Sequence, residues 1–91
     1  MKDYKKKTII TAKKARSLSE KVITMLEKDT YCIDVIQQNL AIIGLLKSVN
    51  LQLLEGHLNC CVKNTINEKN EEKLDEMIKE ILKVLQTAQN K

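Results

Sequence analysis

Residues 32–65 read CIDVIQQNLAIIGLLKSVNLQLLEGHLNCCVKNT. Val35, Ile42, Leu46, Val49 and Leu53 form one helical stripe, and Ile36, Leu40, Ile43 and Leu54 form another. Both recur at the three- and four-residue steps of an α-helix. The segment therefore predicts one long helix from about Cys32 to Thr65, apolar on more than one face between 40 and 54. A helix apolar over so wide an arc is buried on several sides. Ninety-one residues cannot supply that cover alone, so a second chain is expected to pack against it.

Working outward, Asp29-Thr30 breaks the pattern, and either residue can cap the long helix, with Asp34 favourable to its dipole. A first helix is expected from Lys5 or Thr8 to Lys28, with its stripe on Ala15, Leu18, Val22, Met25 and Leu26. Asn67 to Asn70 reads as a polar loop. A third helix follows from Glu71 to Gln86, with Leu74, Met77, Ile78, Ile81, Leu82 and Leu85 on one stripe and a frayed tail over Thr87–Lys91. No repeat or linker divides the chain, so residues 1–91 are read as a single domain. Composition supports an all-α class. Proline is absent and glycine occurs only at Gly44 and Gly56, whereas β folds need many turns.

Residues 1–16 carry Lys2, Lys5, Lys6, Lys7, Lys13, Lys14 and Arg16 against the single acid Asp3, while the rest of the chain holds nine basic and eleven acidic side chains. A basic N-terminal arm, over about residues 1–10, on a near-neutral body suits a polyanion such as a phosphate backbone. No uninterrupted run of about 18 apolar residues is present, so no membrane span is expected. The charged N-terminus lacks the apolar core of a secretory signal, and the reading is a cytoplasmic chain whose cysteines act as thiols or ligands.

Cys32, His57, Cys60 and Cys61 are the residues able to carry chemistry. His57 and Cys61, four apart, share a helical face, a chelating spacing for Cu(I) or Zn(II). Cys32 precedes His57 by 25 residues, about 37 Å along a continuous helix, so the two cannot share an ion within one helix. Two copies packed antiparallel would bring Cys32 of one to His57 and Cys61 of the other, creating two equivalent sites about a two-fold axis. Three soft donors suit Cu(I), whereas Zn(II) usually takes a fourth. Cys60 points elsewhere on the helix and reads as a small apolar residue, a spare ligand or a thiol that oxidises with Cys61. No catalytic arrangement is found: the lone histidine excludes most nucleophile–base schemes, and there is no glycine-rich phosphate loop. Neither an enzyme nor a small-molecule substrate is expected.

Tyr31-Cys32-Ile33-Asp34-Val35, then Gln38, Ala41, Leu45 and Leu46, then Leu54, His57, Leu58 and Cys61, resemble the CsoR/RcnR family of metal-sensing repressors. The preceding Met25-Leu26-Glu27-x-Asp29 fits as well, and the resemblance spans about residues 11–85. It implies a three-helix protomer, an antiparallel four-helix-bundle dimer and a dimer of dimers. It implies Cu(I) held by Cys32, His57 and Cys61, with Tyr31 and Glu76 supporting the ligands from behind. It further implies operator DNA that is released when copper binds. An N-terminal histidine, as in nickel and cobalt sensors, is absent, and His57 separates the chain from persulfide sensors. In the first helix the family's glycines and glutamine give way to Ser17, Lys21 and Leu18, with Arg16 in place. DNA contacts are accordingly assigned to Lys5, Lys6, Lys7, Lys13, Lys14 and Arg16. Two further readings stay open: a thiol or persulfide switch using Cys32 and Cys61, and a metal-binding homologue without specific DNA recognition.

Overall fold

The computed structural model describes residues 3–89. Helix α1 runs Asp3–Glu27 and α2 runs Cys32–His57. One π-helical turn, Leu58–Val62, leads into α3, Lys63–Asn67, and α4 covers Glu71–Gln89. No strand occurs among the described residues. The helical backbone is continuous from Cys32 to Asn67, so the chain holds the three helical stretches expected of it.

The helix α1 begins earlier than its apolar stripe, because the lysine-rich segment favours helix and Asp3 sits in the first turn. The expected basic arm over 1–10 is thus helical from Asp3 onward; Lys2 lies outside the described residues. At its other end α1 closes on Asp29, in the left-handed region with φ 55. Asp29 N–H donates to the Leu26 carbonyl and Thr30 N–H to that of Met25, which satisfies the last turn's acceptors. Asp29 and Thr30 therefore terminate α1 rather than cap α2. Tyr31 holds the cap position of α2, its carbonyl accepting from Asp34 and Val35 N–H.

The chain divides into two compact units, one ending at Gly56 and the next beginning at His57. In the first, α1 and α2 form a hairpin across the short Lys28–Tyr31 connection. The side chains most shielded on α1 are Tyr4, Thr8, Thr11, Ala15, Leu18, Val22 and Met25; on α2 they include Val35, Gln38, Ile42, Leu45, Val49, Gln52 and Gly56. Both sets alternate three- and four-residue steps, the seam of two helices packed along their length. Small and polar residues occupy much of it. The buried Thr8 hydroxyl donates to the Tyr4 carbonyl at 2.6 Å, which offsets its desolvation. A methyl group at Gly56 would collide with the Tyr4 ring unless that ring shifted, so this crossing favours glycine. Leu26, Leu46 and Leu53, expected on buried stripes, are exposed instead. Their places inside are taken by Leu45, Gln52 and Gly56, because the packed seam follows one narrow line while the apolar residues spread over a wide arc.

In the second unit α3 packs on α4. Lys69 ends α3 with φ 57, its N–H donating to the Ile66 carbonyl. Asn70 caps α4: its Oδ1 accepts from Lys73 N–H at 3.1 Å, with Glu71 and Glu72 in the first turn. Leu74, Met77 and Ile81 are the shielded line of α4, whereas Ile78, Leu82 and Leu85 are exposed. Helix α4 outlasts the expected end at Gln86; Thr87, assigned to a frayed tail, is helical and donates to the Lys83 carbonyl at 3.0 Å. Residues 90 and 91 lie outside the described residues.

The stretch Cys32–Asn67 has a window of mean hydropathy 1.3, of which 6% is buried. By length and composition alone it could cross a membrane, although it holds no unbroken apolar run; core helices of soluble proteins have the same length and composition. Its exposed face, with Ile33, Ile36, Leu40, Ile43, Leu46 and Leu51, lies away from the α1 seam.

Candidate metal centre

The sequence-predicted ligands occupy the two ends of α2 and the turn beyond it. Cys32 is the first residue of α2 and its thiol is exposed. Tyr31, at the cap, is 69% exposed. His57 closes α2 and is half-buried, as are Cys60 and Cys61. Cys32 and His57 stand at opposite ends of a 26-residue helix, so one protomer does not bring them together. Among the described residues no three His, Cys, Asp or Glu side chains gather closely enough to hold a metal ion.

The π turn is the feature that sequence reasoning missed. Lys63 N–H reaches back to the Leu58 carbonyl, five residues away, instead of four. The turn is wider than an α-helical one, so a four-residue step comes nearer to a whole revolution. Such turns cost hydrogen-bond geometry and concentrate at functional sites. The periodicity of apolar residues could not reveal it, because Leu58 and Val62 fit either winding.

Thr65, on α3, was also absent from the sequence reading. It is the most deeply buried side chain among the described residues, 2% exposed. Its hydroxyl lies 3.0 Å from the Cys61 carbonyl oxygen and 3.3 Å from Sδ of Met77 on α4. Glu76, the expected support for His57, is exposed on α4. Lys5, Lys6, Lys7, Lys13, Lys14 and Arg16 are all exposed on α1, some flanking the seam, as Lys5 does beside Thr8 and Leu53, and others on the arc away from it. The Lys6–Asp3 ion pair, 3.9 Å and well solvated, takes little from this positive surface.

An all-helical protomer with thiol and imidazole donors at helix ends and a basic outer helix has the parts of a metal-responsive DNA-binding protein. The model of a family described as metal-sensitive transcriptional repressor matches residues 4–87, and the chain belongs to that family. Its members are repressors, not enzymes. Among relatives, the chain is 45% identical over 47 residues to the copper-sensing transcriptional repressor RicR of Mycobacterium tuberculosis, covering 52% of this chain and 49% of RicR. It is 32% identical over 77 residues to the copper-sensing repressor CsoR of Mycobacterium ulcerans, covering 84% of this chain and 66% of that protein. The matched region thus spans between about half and two thirds of these relatives. A solved structure of the copper-sensing repressor CsoR with Cu(I), from Geobacillus thermodenitrificans, superposes with a TM-score of 0.84 at 30% identity, covering 96% of this chain and 88% of that one.

Proposed function

We propose that this chain is a cytoplasmic copper-responsive repressor: it binds operator DNA and releases it when Cu(I) is taken up between subunits. Cys32 of one subunit, with His57 and Cys61 of another, would supply the ligands. The observation that carries this reading is the donor set itself. Two thiolates and one imidazole match Cu(I), the metal in the structurally similar CsoR. The exposed Cys32, far along α2 from His57, is placed to serve a neighbouring chain rather than its own.

The open apolar face of α2 supports assembly as a homodimer or homotetramer. A covering subunit accounts for the hydropathy of Cys32–Asn67 without a membrane. Tyr31 and Glu76 would then orient His57 once the chains are paired, since a ligand imidazole needs a partner on its second nitrogen. On α1 the lysines and Arg16 would neutralise phosphates, which sets register on the duplex. Ligand uptake and DNA binding oppose each other by linkage: a subunit arrangement that satisfies Cys32, His57 and Cys61 together would splay the basic surfaces.

A Cu(I) titration of the reduced protein against a competing chelator, with a promoter-fragment binding assay, tests this. One tight copper per protomer is expected, lost in Cys32→Ser and in Cys61→Ser, and both variants should stay on DNA in copper. Replacing Lys5, Lys6 and Lys7 by Gln should reduce the salt slope of DNA binding by about one for each phosphate no longer neutralised. No tight copper in the wild type would overturn the proposal. Release by persulfides but not by Cu(I) would move the assignment to a thiol switch on Cys32 and Cys61, a reading that the exposed Cys32 thiol favours.

A further inference from the structure

Thr65 sits where nothing in the ligand set requires a hydroxyl. A buried hydroxyl is costly unless it is hydrogen-bonded, and a threonine inside a helix finds its nearest acceptor four residues back. Here that acceptor is the carbonyl of Cys61, at 3.0 Å. The same hydroxyl oxygen is 3.3 Å from the Met77 thioether, which carries the contact across to α4. The hydroxyl has one proton, and the carbonyl is the stronger of the two acceptors.

The Cys61 carbonyl belongs to the π turn, where the backbone leaves regular α-helical bonding. A side-chain donor aimed at it restrains the peptide plane that follows Cys61, and with it the direction in which Cα projects the thiol. Met77 closes the other side: it is 9% exposed, on the inner line of α4. Thr65 therefore joins the turn bearing one ligand to the helix bearing Glu76.

We infer that Thr65 is a positioning residue for Cys61, holding the π turn against α4 so that the thiolate meets the metal in a defined direction. The inference rests on Cys61 being a copper ligand, as proposed above. Outer groups that orient a ligand typically change metal affinity by about 10- to 100-fold when removed.

The test compares Thr65→Val, which keeps the shape without the hydroxyl, with Thr65→Ser, which keeps the hydroxyl. Cu(I) affinity is measured by chelator competition, and the thiolate-to-copper charge-transfer absorption is recorded on the same samples. Thr65→Val should bind Cu(I) about tenfold or more weakly, with a shifted absorption band, and Thr65→Ser should restore both. Should the valine variant unfold, Thr65→Ala against Thr65→Ser removes the same methyl group and differs only in the hydroxyl, so the same contrast is expected. Wild-type affinity and spectrum in Thr65→Val, or in Thr65→Ala, would overturn the role of Thr65 alone. Copper binding unaffected by Cys61→Ser would overturn it together with the ligand assignment.

Discussion

Along one side of α2, Val35, Gln38, Ile42, Leu45, Val49, Gln52 and Gly56 turn towards α1; along another, Ile36, Leu40, Ile43 and Leu46 lie open at about half exposure. The shielded side contains two glutamines and a glycine beside its aliphatic residues, while the open side carries these aliphatic residues together with Asn39, Lys47 and Asn50. Within the chain itself much aliphatic surface stays in water, although each such side chain taken from water contributes about 1.5–3 kcal/mol. The contrast teaches that the seam with α1 covers only part of the apolar surface of α2. The narrow seam selects small and polar side chains so that two backbones can approach. The chain by itself leaves the aliphatic face uncovered, and apolar patches of this kind mark candidate interaction surfaces.

That comparison can be broken most forcefully by placing charge on the open face. Ile36→Glu with Ile43→Glu is expected to cost several kcal/mol of association, because each carboxylate would be buried unpaired between chains. Light scattering should then report a monomer where the wild type is an assembly. Unchanged mass would show that this face is not the subunit contact. A smaller effect is expected on the shielded side. Gly56→Ala gains up to about 1 kcal/mol of helix propensity but meets the Tyr4 ring, and overpacking typically costs about 1–3 kcal/mol. A net loss of about 1 kcal/mol should appear in denaturant unfolding, and Tyr4→Ala in the same chain should relieve the clash. A gain from Gly56→Ala alone would mean that Tyr4 does not pack there. The smallest effect sharpens the contrast. A side chain at Gly44 would enter open space within the protomer, so Gly44→Ala should stabilise by up to about 1 kcal/mol. A loss that grows weaker as protein is diluted would put a neighbouring chain against that backbone.

Much of the architecture is legible in the sequence, and the failures are specific. The three helical stretches follow from runs of three- and four-residue spacing and from the absence of proline, which are local properties. The identity of the buried residues is less legible: Leu46 and Leu53 have the spacing of core and are exposed, while Gln38 and Gln52 are shielded. Hydrophobicity indicates which residues gain from burial, not which partner arrives to bury them. Asp29 has the chemistry of a start for α2 and is the left-handed end of α1. Short polar residues serve both roles, and only the backbone angle distinguishes them. Cys32, His57 and Cys61 stand out as candidate ligands from residue chemistry and helical geometry. The π turn over Leu58–Val62 is not legible, because a widened turn leaves no mark when its flanking residues suit both windings.

The sequence alone determined that the chain is helical, that an excess of basic charge lies on the first helix, and that Cys32 and His57 stand too far apart along one helix to meet at a common ion. Each follows from local propensity, composition or the fixed rise of a helix. The tertiary structure alone decided which face of α2 meets α1, how the turn at Cys61 is wound and that Thr65 lies between Cys61 and Met77. These depend on how closely two backbones can approach and on where buried hydroxyls find acceptors, and residues far apart in the chain settle both.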